Sequence, residues 1–220
     1  QMKLFLSVLT SLSILNLPLA LAAKDGTPAI LQEISTKYRK AGLVEMSVEK
    51  IVKLELMGKE TKYTGTMYIA EGLFRLETVK PEKGLLVFDG GVLWNIQFQT
   101  SDFPGPIQVT KAKIDKKNRS QLLVGSLFSK EPLSEQLRIV GQISEGSEVT
   151  YDAKLEKKDM NISSLKISVD SKKLLFKSLY YLDDVGNLVT FNFAEIQFKK
   201  KKRKELFQYF PPKDAQVNSL

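Results

Sequence analysis

From Leu43 to Phe98, and again from Leu137 to Phe198, apolar residues recur at about every second position in short runs cut by tight turns. A period of two puts alternate side chains on opposite faces of an extended strand. Val44, Met46, Val48, Val52, Leu54 and Leu56 fall on one face, and Glu45, Ser47, Glu49, Lys53 and Glu55 on the other; Lys50 is a charged interruption that marks an expected bend or bulge. Further strands are predicted over 62–70, 73–79, 85–88, 92–98 and 107–110, then over 137–143, 149–156, 162–169, 174–182 and 188–198. The links between most of them are too short for crossovers, and Gly58-Lys59 and Asp89-Gly90 carry turn chemistry, so neighbours should pair antiparallel. In the last run the apolar phase moves from Val189, Phe191 and Phe193 to Ala194, Ile196 and Phe198, which predicts a β-bulge near Ala194-Glu195.

Helical spacing occurs in two places. Thr27-Pro28 offers a capping hydroxyl before a proline at the first helical position, and Ile30, Leu31, Ile34, Tyr38 and Ala41 form one apolar stripe that stops at Gly42. A second helix is expected from Asn118 or Ser120, with Leu122, Leu123, Val124, Leu127 and Phe128 making most of its surface apolar, and a short turn opens at Pro132. Gly125 weakens that helix by about 1 kcal/mol relative to alanine. Too few helices are present to cross between parallel strands. The fold class is therefore mainly β with a few helices (α+β): a strongly curved antiparallel sheet of about ten or eleven strands whose apolar concave face is covered by short α-helices. A β-sandwich is the alternative, and the isolated apolar helices count against it.

The first residues read as an export signal. Lys3 precedes an uncharged stretch from Leu4 to Leu21, and Ala20-Leu21-Ala22-Ala23 supplies small residues for cleavage, so residues 1–23 are assigned to a signal peptide and 24–220 to a single domain. No cysteine is present to be acylated or to form a disulfide, and the mature chain is expected to be a diffusible periplasmic monomer. The 33 lysines and arginines outnumber the 25 aspartates and glutamates, for a net charge of +8 that falls by one when Lys3 leaves with the leader. Catalysis is disfavoured. With neither histidine nor cysteine, the Ser-His-Asp and Cys-His arrangements and the usual zinc sites are excluded, and there is no glycine-rich phosphate loop. The Asp183-Asp184 doublet sits in Asp-Asp-Val-Gly-Asn between two apolar strands, the context of a hairpin turn. No cofactor, metal or nucleic acid is expected.

Several pieces occur together in one order: Gly65-Thr66-Met67-Tyr68-Ile69, Leu73-Phe74-Arg75-Leu76, Lys80-Pro81-Glu82, Val87-Phe88-Asp89-Gly90-Gly91-Val92-Leu93-Trp94, Leu122-Leu123, Asp183-Asp184-Val185-Gly186 and the stretch 207–212 ending Phe-Pro-Pro. In order and spacing, over essentially the whole mature chain, they resemble the LolA family of periplasmic lipoprotein carriers. The resemblance implies an incomplete antiparallel β-barrel with a helical lid, enclosing an apolar cavity that holds the acyl chains of lipoproteins crossing the periplasm. It implies an inner-membrane ABC-type lipoprotein release complex as donor and an outer-membrane acceptor lipoprotein, or the outer membrane itself, as recipient. In family members an arginine and a proline follow the strand matched by 65–69, and that arginine holds the lid closed. Here Ala70-Glu71-Gly72 stands in that place, and the role is not transferred to Arg75 on the next strand. Two other functions fit the same sheet: carriage of a different amphiphile, phospholipid or glycolipid, and a non-enzymatic module that binds envelope proteins.

The expected cavity residues are Met46, Val48, Met67, Ile69, Phe74, Leu76 and Trp94 from strands, and Leu31, Ile34, Leu123, Leu127 and Phe128 from helices. Each is equally an ordinary core residue taken singly, since apolar faces are core by default. Methionine suits a pocket that accepts chains of varied shape. The run Lys199, Lys200, Lys201, Lys202, Arg203 and Lys204 puts charge on both faces of any strand, so the sheet must end near Phe198. It is either a solvated edge that discourages aggregation or a contact for an anionic membrane or acidic partner.

Overall fold

The computed structural model describes residues 28–101, 104–114, 127–128, 132–156, 162–183 and 186–220. The first element of the described residues is a helix, α1 (Ala29–Lys40). Its first turn is closed by Gln32 N–H donating to Pro28 O at 3.2 Å, and no side chain caps it. The capping residue expected, Thr27, lies outside the described residues. Twelve strands follow: β1 (Leu43–Leu54), β2 (Lys59–Ala70), β3 (Leu73–Lys80), β4 (Gly84–Phe88), β5 (Val92–Gln97), β6 (Gln108–Lys113), β7 (Leu137–Glu145), β8 (Glu148–Leu155), β9 (Ile162–Asp170), β10 (Leu175–Asp183), β11 (Leu188–Lys199) and β12 (Gln216–Ser219).

All twelve form one sheet in the order β12-β6-β5-β4-β3-β2-β1-β11-β10-β9-β8-β7. Two antiparallel meanders, β1 to β6 and β7 to β11, meet where β1 pairs with β11 at the centre. The sheet curves but does not close, and β7 and β12 are its edges. The turns explain the tight hairpins. Ala70 pairs with Leu73 across Glu71 and Gly72, whose φ values of 48° and 84° are the positive pair that a type I′ turn needs. A proline there has the wrong φ, so the family's basic-residue and proline pair has no place at 71–72. At the next hairpin, Asp89 Oδ1 accepts N–H bonds from Gly91 (2.9 Å) and Val92 (2.8 Å).

The phase shift in β11 is a bulge. Glu45 faces Gln197 while Ser47 faces Ala194, so β11 carries an extra residue there, and Glu195 takes a φ of 50°. The bend expected at Lys50 is absent: β1 runs through it in continuous register with Tyr63 on one side and Phe191 on the other. Leu56 does not continue the apolar face. It sits in a short 3₁₀ turn at Glu55–Met57 and is 90% exposed, because β1 ends at Leu54 and Gly58 turns back through the left-handed region.

The twelfth strand exceeds the number expected. After β11 the chain makes a 3₁₀ turn at Lys204–Phe207 and crosses the outer face of the first meander. Phe207 is buried with Leu43 and Ala70, and Arg75 Nη1 donates to Leu206 O at 3.1 Å. Tyr209 lies 5.7 Å from Trp94, and β12 then pairs parallel with β6. The second meander has a polar outer face instead, with Thr150 hydrogen-bonded to Ser168 at 2.7 Å and Lys166 paired with Asp152 at 3.4 Å.

Candidate functional site

The inner face of the sheet is best read as rows running across the strands. One row is wholly apolar: Phe198, Val44, Ile69, Phe74, Phe88, Leu93, Ala112, each opposite the next. The next runs Met46, Met67, Leu76, Leu86 and ends in Asn95 and Thr110. The third is Phe193 and Val48, then Gly65, Thr78, Gly84, Gln97 and Gln108. A fourth row pairs Phe191, Lys50 and Tyr63. Over the first meander the interior thus grades from aliphatic to polar. Across the second meander it stays apolar, with Leu179, Ile167 and Tyr151 in line with Phe191.

α1 covers the apolar end. Leu31, Ile34 and Tyr38 face down, buried in the same cluster as the first two rows. Tyr38 is the anchor: its hydroxyl accepts the Phe176 N–H at 3.2 Å beside the register shift between β10 and β9, and its ring meets Phe176 and Phe198 edge-on at 5.2 and 5.1 Å. Burial pushes the Tyr38 hydroxyl well above the ordinary tyrosine pKa, because desolvation disfavours the phenolate and the Phe176 N–H offsets this only in part. Lys37 holds the helix from the side, donating to Lys173 O (2.9 Å) and resting over Phe198 at 4.7 Å. Ser35 Oγ is buried without a hydrogen-bond partner among the described residues.

Leu127 and Phe128 enter this interior from the segment expected to form the lid helix. Phe128 is 2% exposed, stacked on Tyr38 at 5.3 Å and edge-on to Phe176 (5.3 Å) and Phe193 (6.3 Å). Of the residues chosen from sequence, Leu31, Ile34, Met46, Val48, Met67, Ile69, Phe74, Leu76, Leu127 and Phe128 lie in one buried cluster. Leu123 lies outside the described residues.

Trp94 is a correction. Leu93 and Asn95 take the inward positions of β5, so the residue between them points outward. Its indole N–H donates to Asp89 Oδ2 at 3.2 Å, and it packs with Tyr209 in a separate outer cluster around Val87, Ile96 and Val109. Sequence reasoning also passed over Lys50, whose Nζ lies 5.7 Å from both the Tyr63 and Phe191 ring centres. Its alternation with Val48 and Val52 was the signal that it faces inward.

In the basic run, three cations are held by the chain itself. Lys199 pairs with Glu45, Lys202 with Glu71 (2.7 Å) and Arg203 with Glu205 (3.0 Å). Lys200, Lys201 and Lys204 form no ion pair among the described residues, in which no cluster of metal-binding side chains and no membrane-length helix occurs either.

A family model described as outer membrane lipoprotein carrier protein LolA matches residues 52–210, well over half of the chain. The chain belongs to the LolA family. The open sheet is therefore the LolA-like incomplete barrel, which the two meanders and the bulged centre build together. Among solved structures, an uncharacterised conserved protein from Thermus thermophilus matches this LolA-family chain at 16% identity and a TM-score of 0.51, covering 86% of this chain and 97% of that one. A LolA superfamily protein from Nitrosomonas europaea matches at 8% identity and a TM-score of 0.44, over 81% and 96% of the two chains. A putative outer membrane lipoprotein-sorting protein domain from Vibrio parahaemolyticus matches at 12% and 0.39, over 81% and 94%. No curated protein sequence matches.

Proposed function

We propose that this LolA-family protein is a periplasmic, non-enzymatic carrier that takes the acyl chains of lipoproteins into its inner face. Donor and recipient are an inner-membrane ABC-type release complex and the outer membrane or an acceptor lipoprotein within it. The supporting observation is the seal over the apolar rows. It consists of side chains from α1 and from Leu127 and Phe128, none of which belongs to a strand of the sheet.

The energetics give such a carrier its purpose. An acyl methylene left in water costs about 0.8 kcal/mol, so a 16-carbon chain costs roughly 12 kcal/mol, and unassisted crossing of an aqueous compartment is negligible. A carrier must hide the chain yet release it downhill. An interior closed by its own side chains meets both needs, because cargo gains only the difference between acyl contacts and the contacts it displaces. Lys200, Lys201 and Lys204 are offered to an anionic membrane or partner surface, an interaction that weakens with salt.

The test is native mass spectrometry with lipid extraction on mature protein purified from its own periplasm. The carrier reading expects acylated lipoprotein on the wild type and none on Phe74→Glu, which puts a carboxylate in the fully apolar row. Free phospholipid or glycolipid in its place would assign another amphiphile. Protein that is empty under gentle conditions, with partner binding unaffected by Phe74→Glu, would refute carriage and favour an envelope-protein binding module.

A further inference from the structure

The polar end of the inner face has a shape and a charge that acyl binding alone does not use. A groove of about 710 Å³ lies over it. Thr78, Gly84, Gln97 and Gln108 of the third row line it, with Asn95 at the end of the second and Tyr63 beside Lys50. Residues 98–100 and 104–106 wall it from the far side, and Glu82 and Lys83 at the β3–β4 turn bring opposite charges to its rim. Gly84 leaves room beside Thr78, whose Oγ1 a Cβ at that position would meet at 2.7 Å.

Lys50 supplies the charge. It projects from the central strand between the groove and the apolar second meander, its ammonium held over the Tyr63 and Phe191 rings. No carboxylate of the described residues pairs with it; the neighbouring Glu49 is on the other face, bound to Lys62 at 3.0 Å and to Asn192. Burial holds the amine below the ordinary lysine pKa. A lysine kept on an apolar face without a counter-ion destabilises the fold, and in this position an incoming anion would offset the cost.

We propose that the groove and Lys50 form a headgroup subsite for an anionic amphiphile: the phosphate or carboxylate of the cargo pairs with Lys50, its polar remainder lies against Thr78, Asn95 and Gln97, and its chains run into the aliphatic rows. The proposal rests on the carrier reading, adding to it the polarity with which cargo enters. Chains point toward Val44 and Phe74, and the head stays at the Lys50 end. The side chains placed against the head are neutral hydrogen-bonding groups, and Glu82 and Lys83 at the rim offset each other in charge, so the anion's selectivity comes from Lys50.

The experiment uses calorimetric titration of the mature protein with two pairs of short amphiphiles below their micelle concentrations. These are dihexanoylphosphatidylglycerol against dihexanoylphosphatidylcholine, and decanoate against decyl glucoside. The wild type should prefer the anionic member of at least one pair by about tenfold, the scale of one charge-assisted contact. Lys50→Gln should erase that preference while leaving the affinity for the neutral member unchanged, and Lys50→Arg should keep it. The pair that shows the preference tells phosphate from carboxylate. Thermal melts of both variants check folding. Equal binding within both pairs, or a preference that survives Lys50→Gln, overturns the subsite and leaves the carrier reading intact. Failure of all four amphiphiles to bind the wild type overturns both.

Discussion

Replacing Phe128 with alanine separates the stability of the sheet from that of its seal. The ring is almost wholly buried and touches three other aromatic side chains, Tyr38, Phe176 and Phe193. Truncating a buried phenylalanine typically costs about 3–5 kcal/mol. If Phe128 occupies space that cargo must enter, this loss falls on the closed state and not on the state that binds. A closing equilibrium weakened by about 3 kcal/mol raises the binding-competent fraction, and with it the apparent affinity, by up to about a hundredfold. The matched control is Phe176→Ala, which removes a ring of the same size from the sheet floor. Calorimetric titration with a short-chain amphiphile and urea unfolding followed by far-UV circular dichroism would measure both quantities. Phe128→Ala should bind more tightly with a modest loss of global stability, and Phe176→Ala should bind no more tightly and lose several kcal/mol of stability. Unchanged or weaker binding by Phe128→Ala, with a global loss equal to that of Phe176→Ala, would show that Phe128 is ordinary core and not a displaceable plug.

Three further predictions concern the elements that frame the interior. Tyr38→Phe leaves the buried Phe176 N–H without its acceptor and should cost about 1–3 kcal/mol in urea unfolding. Because the folded-state pKa of Tyr38 is raised, its contribution is present below the unfolded tyrosine value near 10 and is lost as pH climbs above it; the wild-type stability should fall there more steeply than that of Tyr38→Phe. Ser35→Ala removes a buried hydroxyl with no partner among the described residues and should raise the melting temperature, corresponding to about 1 kcal/mol; a lowered one would mean that the hydroxyl is bonded. Gly65→Ala places a methyl group against the Glu77 carbonyl and should destabilise by about 1–3 kcal/mol, since backbone must move to admit it.

The period-two pattern carried most of the architecture because each meander strand buries one face and wets the other. That same pattern made the β11 bulge visible, as the shift in phase from Phe193 to Ile196 requires an extra residue. β12 was invisible for the opposite reason: Gln216, Val217, Asn218 and Ser219 are all exposed, so the strand exists through its hydrogen bonds to β6 and through Phe207 and Tyr209, which draw the tail across the sheet. Trp94 was misplaced because sequence does not say which alternate face is concave; that follows from the register of Leu93 with Phe88 and Ala112. The polar row of Thr78, Gln97 and Gln108 was hidden likewise. Those residues stand far apart in the chain and become one surface only once the three antiparallel pairings from β3 to β6 have set their alignment.

The pairing of β1 with β11 also governs the order in which the molecule can be made. Glu45 meets Lys199 across 154 positions of chain, so the centre of the sheet is its least local contact. Each meander can assemble from neighbouring hairpins, but neither gains its inner partner until almost all of the polypeptide is available. Folding dominated by such distant contacts is slow, in the millisecond-to-second range rather than the microseconds of helical bundles. For a chain exported as we propose, threaded across a membrane before it folds, the delay is useful: the joint that completes the sheet cannot close while its last strands are still on the wrong side.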